Sequence, residues 1–302
     1  MRKIFPRFID RRIGAFTTAY NQRKILELAK SSKSIFLEPV NPRTCNGTIE
    51  RYYHFIFDLI LPLNCLIRKT SPDVVFIVKA FGIYTDRLQY LFPGRIKIEN
   101  EINIPRNTKK IHLIGMNPKC VHLRSEVLES FKREICHNLE VAQSSKPNKI
   151  LLIERLPPDS NFTKNVADKG GGNTRRSILN HDDLANILRS MVRPPFEFHN
   201  LQLENMTFKE QIHYFDRALI VIGQHGAGLV NCIWMKRESI VIELNDKPSN
   251  FFLPIYKLKK QHFFLYKTSS QHVTIDIRNF ANWILNDSKL KSFFINSRIL
   301  SV

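Results

Sequence analysis

The segment Ile220–Ile233, IVIGQHGAGLVNCI, constrains this chain more than any other. A short apolar run ends in a turn that holds Gly223, Gly226 and Gly228, and apolar residues resume at once. The pattern is that of a buried strand turning tightly into a helix, a corner that needs backbone without Cβ atoms. Such a corner can bring unpaired N–H groups and a positive helix end up to a phosphate. Taken alone, the segment is read equally well as a turn that needs glycine for its geometry only. It lacks the GxGxxG spacing and lies late in the chain, which disfavours a nucleotide-dependent oxidoreductase.

The rest of the chain alternates strand-like and helix-like stretches, which predicts an α/β fold. Strands are expected at Ser34–Pro39, Asp73–Lys79, Ile96–Glu99, Lys110–Ile114, Lys149–Ile153, Phe196–His199, Leu219–Gly223, Ser239–Leu244 and His262–Tyr266. Helices are expected at Tyr52–Arg68, Tyr84–Leu91, Leu123–Leu139, His181–Met191, Thr207–Ala218, Ala227–Met235 and Ile277–Phe294. Thr207 with Glu210 has the spacing of a capping box. The polar stretch Ser144–Asn148 reads as a linker, and Asp159–Asn173, with its three consecutive glycines, as a surface loop. The division expected is an N-terminal domain over 1–145, a second over 146–275, and a closing helix over 276–302 that packs back across the cleft between them.

At 302 residues with 43% apolar content the chain can fill two cores, and its 22 phenylalanines make those cores aromatic. A formal charge of +19 calls for an anionic partner, whether nucleic acid, a membrane surface or a phosphate-bearing small molecule. The basic residues are dispersed, and no zinc-finger, RRM or basic-helix pattern is present, so nucleic acid is not the expected partner. The densest basic stretch, Met1–Arg12, allows a peripheral membrane contact. The five cysteines are odd in number and widely spaced, which points to free thiols in a reducing compartment. Neither a signal peptide nor an apolar run of spanning length is seen, so a soluble cytoplasmic protein is expected.

Several residues are candidates for chemistry. Glu243, near the end of a buried strand, suits a pair of ribose hydroxyls, or is a surface glutamate at a strand end. Arg155 closes a strand, and Arg175 and Arg176 precede Asn180; arginines clamp diphosphates, although a basic chain also carries many solvated ones. His54 and Asp58, four apart, share a helix face and can form a general base with its orienting partner, or a plain buried pair.

Together these segments resemble glycosyltransferase family 61. The resemblance is carried by HFIFD at His54–Asp58, Arg155 after its strand, RRxxxN at Arg175–Asn180, FKEQIHYFDRA at Phe208–Ala218, GQHGAGLVN at Gly223–Asn231 and VIEL at Val241–Leu244. It is dense from Lys149 to about Leu244 and thin before that. It implies a GT-B fold of two Rossmann-like domains facing a cleft, and inverting transfer from a UDP-sugar without a metal ion or other cofactor. Xylose is the sugar it favours, then N-acetylglucosamine, and a glycan or glycoprotein is the acceptor. It implies donor contacts at Arg155, Arg175, Arg176, Asn180, Gly223, His225, Gly226, Ala227, Gly228, Asn231 and Glu243, and a base at Asp58 or His54. The sequence also agrees in having no DxD pair at a strand end. The short form, without an anchor, is similar to members from bacteria and large algal DNA viruses. The competing readings are a basic nucleic-acid-binding protein and an inactive sugar-nucleotide binder.

Overall fold

The computed structural model describes residues 23–40, 51–80, 84–85, 87–99, 104, 108, 110–116, 123–144, 146–157, 172–248, 252–288 and 290. They fall into two compact units, one ending at Val141 and the other beginning at Ala142. Each is α/β and built on a wholly parallel sheet.

The first unit contains β1 (Ser34–Val40), a helix α1 over 52–67, β2 (Val75–Lys79), α2 (Arg87–Leu91), β3 (Ile96–Glu99), β4 (Lys110–Ile114) and α3 (Ser125–Asn138). The strand order is β3-β2-β1-β4, so the direction of winding reverses between β1 and β4. In their register Val40 lies opposite Ile114, and the carboxyl ends of the two strands coincide. Open parallel sheets take ligands beyond the carboxyl ends of the strands at such a reversal. The expected phenylalanine core is present here: Phe55, Phe57, Phe76, Phe92 and Phe131 are fully buried.

The second unit contains β5 (Lys149–Glu154), β6 (Ser177–Ile178), α4 (His181–Met191), β7 (Glu197–Gln202), α5 (Phe208–Asp216), β8 (Ala218–Gln224), β9 (Ile240–Asn245), α6 (Leu253–Lys259), β10 (His262–Lys267), β11 (His272–Val273) and α7 (Ile277–Asn286). Its main sheet runs β10-β9-β8-β5-β7, and β6 pairs with β11 in a small separate sheet. The reversal here lies between β5 and β8. The branched aliphatic residues of β5, β8 and β9 form the core, with Leu184 and Leu188 of α4 against them. Helix α5 starts on the anticipated capping box: the Glu210 amide donates to Thr207 Oγ1, and the Thr207 amide donates back to Glu210 Oε2.

The structure departs from the sequence reading in several places. Ala227–Trp234 is wound as a 3₁₀ helix and not as an α-helix. Gly228, Asn231 and Trp234 recur every three residues, the 3₁₀ period, and Trp234 Nε1 donates to Asn231 Oδ1 at 3.1 Å. Ser144–Asn148 is not a free connection. The Ser144 amide donates to Asp216 at 2.6 Å and the Asn148 amide to the Arg217 carbonyl at 3.0 Å, tying both residues to the second unit. The closing helix is described as far as Asn286. It buries Phe280 and Ile284 in the core of its own unit, against Leu184 and Leu188, and the stretch 291–302 expected to continue it lies outside the described residues. Met1–Arg12 and the loop from Asp159 to Gly171 lie outside the described residues. Among the described residues no helix is long and apolar enough to cross a membrane.

Candidate active site

The first group of site residues sits where the first sheet reverses. Helix α1 begins as α at Tyr52–His54, widens into a π-helix over Phe55–Ile60, and returns to α at Leu61–Ile67. Pro62 accounts for the widening. It has no N–H, and in an α-helix its ring would press on the carbonyl of Asp58. In the π winding, Leu61 N–H reaches Ile56 and the Phe57 carbonyl would need Pro62 as donor. The Met116 amide, just past β4, takes that carbonyl at 2.7 Å. The helix is thereby fastened to the carboxyl end of β4 with Asp58 against Gly115. A Cβ on Gly115 would lie 2.9 Å from Asp58 Cα and closer still to its carboxylate, so only glycine fits.

Asp58 is 5% exposed and accepts a 2.6 Å hydrogen bond from His54 Nδ1, as the spacing of four anticipated. The two side chains differ in access: 20% of His54 is exposed against 7% of Asp58. Because the carboxylate is the acceptor, Nδ1 carries the proton of this bond.

The second group sits where the second sheet reverses. Arg155 follows β5 directly. Its Nε and Nη2 donate to the Gly172 carbonyl at 3.1 and 2.8 Å, and its Nη1 to the His225 carbonyl at 3.1 Å. Burial, and after it the nearby charges of Arg176 and Arg175, bring the Arg155 guanidinium down to about 10, with Glu204 working in the opposite direction. Arg176 is also held below the usual arginine range, chiefly by burial and then by Arg175. Three guanidinium groups thus crowd one corner of the unit. Neither Arg175 nor Arg176 has a hydrogen-bonding carboxylate among the described residues. The charges of Glu204 beside Arg155, and of Asp246 and Glu243 beside Arg176, work against this lowering.

The glycine turn works differently from its sequence reading. Gly226 has an extended backbone, φ 170°, that any residue could adopt. Its requirement for glycine is steric. An added Cβ would overlap Arg155 Nη1 and lie 3.1 Å from Cζ, so the guanidinium meets the turn end-on through Nη1. Gly228 makes room for Leu203, 2.9 Å from its would-be Cβ, and Gly223 sits between Ile153 and Leu229. The first bond of the 3₁₀ segment runs from Leu229 N–H to the Gly226 carbonyl. Among the described residues the amides of Ala227 and Gly228 have no acceptor within the segment.

Three assigned side chains have other partners. Asn231 is 0% exposed, and its amide is held between Gln211 Oε1 and the Trp234 indole in a buried network, so it supports the turn and cannot touch a ligand. Asn180 uses both ends of its amide on the backbone of Ile275, at 2.9 and 2.8 Å, and so clamps the strand end after β11. Glu243 lies within β9 and not at its end; it is 0% exposed, and its Oε1 accepts from His225 Nδ1 at 2.6 Å. A ribose cannot reach it as placed. Its effect is exerted through His225, whose ring it fixes and whose other face meets Phe252 at 5.2 Å.

Four residues escaped the sequence reading. Gly115 and the Gly172 carbonyl brace Asp58 and Arg155 respectively. Glu154 ends β5 and accepts from Asn200 and Gln202, both at 3.0 Å. Gln224 ends β8 and is 5% exposed. Its place inside GQHGAG was the available signal. Among the described residues no group of three or more His, Cys, Asp or Glu is arranged to hold a metal ion.

Comparison with known proteins bears on what these two groups do. A family model described as "Glycosyltransferase 61" matches residues 52–242, from the first turn of α1 to the middle of β9. Curated proteins named "EGF domain-specific O-linked N-acetylglucosamine transferase" are similar at low identity. The one from Gallus gallus is 21% identical over 142 residues, 47% of this chain and 24% of its own length. The one from Mus musculus is 21% identical over 146 residues, 48% of this chain and 25% of its own length. The match thus spans about a quarter of the length of these relatives.

Proposed function

The chain belongs to the glycosyltransferase 61 family, and from that premise we propose that it moves a sugar from a UDP-sugar to a hydroxyl of a glycan or glycoprotein, inverting the anomeric carbon and using no metal ion. The observation that carries the reading is the arginine cluster at the reversal of the second sheet. Arg155, Arg175 and Arg176 supply positive charge where an α/β sheet receives its ligand, beside the amides of Ala227 and Gly228. A departing diphosphate needs this kind of fixed, partly desolvated positive environment as charge develops on it.

The first unit supplies the acceptor side in this reading, and the two units form a GT-B pair. His54 Nε2 takes the proton of the attacking hydroxyl. Asp58 orients the imidazole and stabilises the imidazolium that forms, acting as a positioning residue. The greater exposure of His54 favours this division of labour over Asp58 as the base. For the donor, the resemblance put UDP-xylose first, whereas the matched relatives are named for N-acetylglucosamine transfer to EGF domains. Both donors and EGF-like acceptors belong in the first assay.

The test is turnover. The protein is incubated with UDP-xylose or UDP-N-acetylglucosamine and a panel of glycan and EGF-domain acceptors, and the product linkage is read by NMR. A β-linked product from the α-linked donor supports the proposal. An α-linked product contradicts inversion. UDP binding without turnover of any donor would favour the inactive sugar-nucleotide binder.

A further inference from the structure

Gln224 closes β8 on the face of Ile220 and Ile222, because side chains two apart in a strand point the same way. The two isoleucines lie in the core of the second unit, and Gln224, one step further along, is 5% exposed. A buried amide at such a place needs a hydrogen-bond partner. Gln224 Nε2 donates to the Gln271 carbonyl at 2.7 Å, and the Ser177 carbonyl lies 3.5 Å from the same nitrogen. Gln271 directly precedes β11 and Ser177 opens β6, so one side chain beside the glycine turn reaches both strands of the small sheet.

That sheet needs the hold. Each strand has two residues, and of these four only Ile178 and Val273 pack against the core. A strand pair of that length is not stable by itself. Ser177 N–H donates to the Gln271 carbonyl at 3.1 Å, and Leu179 N–H to the Val273 carbonyl at 2.8 Å. Just beyond, Asn180 bonds the N–H and the carbonyl of Ile275 at 2.8 and 2.9 Å. The pair is thus pinned by Gln224 where it begins and by Asn180 where it ends.

Arg176 is the residue immediately ahead of β6. It is half-buried, and the charges of Glu243 in β9 and Asp246 just after β9 act on its guanidinium. An arginine side chain has many rotamers, so it reaches one point reliably only from a fixed backbone. We propose that Gln224 and Asn180 are positioning residues for Arg176: they pin the β6–β11 pair and so hold the Arg176 guanidinium where the diphosphate departs. The inference rests on the UDP-sugar reading above.

The experiment combines titration calorimetry with UDP and hydrogen exchange read by mass spectrometry. Both are run on the full chain for the wild type, Gln224→Met, Asn180→Ala, and each variant joined to Arg176→Ala. Methionine keeps the length of glutamine and lacks the donor. Amide exchange across residues 173–180 should quicken about threefold or more in both single variants. UDP affinity should fall about three- to tenfold in each, and most of that loss should vanish in the Arg176→Ala background, where no guanidinium is left to position. A loss that is as large without Arg176 as with it assigns Gln224 to Arg155, through the neighbouring His225 carbonyl, and overturns the inference. UDP affinity intact in both single variants also overturns it, and leaves the UDP-sugar reading standing. If Gln224→Met does not fold, Asn180→Ala, at the far end of the pair, decides by the same two readouts. No UDP binding by the wild type removes the UDP-sugar reading and this inference with it.

Discussion

Replacing Gly226 by alanine should disable Arg155 without altering any ligand-contacting side chain. The backbone at Gly226 is extended, so alanine introduces no conformational strain. The new Cβ would overlap Arg155 Nη1 and sit 3.1 Å from Cζ, and the guanidinium must shift off the turn. It then gives up its bonds to the Gly172 carbonyl at 3.1 and 2.8 Å and to the His225 carbonyl at 3.1 Å. Each such bond contributes about 1 kcal/mol net, and water recovers part of the loss because the site is half-open, so about 1–3 kcal/mol of stability is lost. For a unit of this size the melting temperature falls by about 3–10 °C. Losing one charged contact to a diphosphate should weaken UDP about ten- to a hundredfold. Calorimetry and thermal unfolding read both effects. Arg155→Ala should show the same loss of UDP affinity, and the double variant should be no worse than Arg155→Ala alone, since the residues act as one unit. Gly223→Ala is the control: its Cβ first meets Ile153 and Leu229 at 3.2 Å, so it costs stability by crowding the core, with Arg155 not among its nearest neighbours. The reasoning fails if Gly226→Ala binds UDP like the wild type, or if its loss and that of Arg155→Ala add.

Further outcomes follow from the same contacts. Asp58→Asn should lower turnover by two or more orders of magnitude, roughly the contribution of general acid–base catalysis, with UDP affinity unchanged; loss of UDP affinity would place Asp58 elsewhere in the mechanism. Gly115→Ala displaces the same carboxylate and should reproduce that kinetic pattern, whereas unchanged turnover would separate Asp58 from the reaction. Asn231→Ala leaves Gln211 Oε1 and the Trp234 N–H without this buried partner, and should cost about 2–4 kcal/mol in denaturant unfolding; a loss below 1 kcal/mol would contradict the network.

The α/β class, the resemblance and the closeness of His54 to Asp58 were legible in the sequence because each depends on short-range pattern. Apolar runs of strand length, a glycine corner and a spacing of four are all local. What a side chain meets across the fold is not. Glu243 and Asn231 both sit in matched motifs, yet both are 0% exposed, since their partners His225, Gln211 and Trp234 are brought to them by packing. Gly226 was legible as a required glycine but for a different reason, because the guanidinium that needs the space lies 71 residues earlier in the chain. The π winding of α1 was within reach: Pro62 stands four residues after Asp58, and proline disrupts the α ladder at that distance. The winding of Ala227–Trp234 was not, because its period of three is set by the buried Asn231–Trp234 bond.

The central claim, a nucleoside diphosphate held by arginines without a metal ion, is tested most directly by calorimetry with UDP in excess EDTA, for the wild type and Arg176→Ala. The account predicts UDP binding that EDTA leaves unchanged, with ADP weaker, and a loss of about tenfold or more in the variant. UDP binding that disappears in EDTA, or that is indifferent to Arg176, would contradict it.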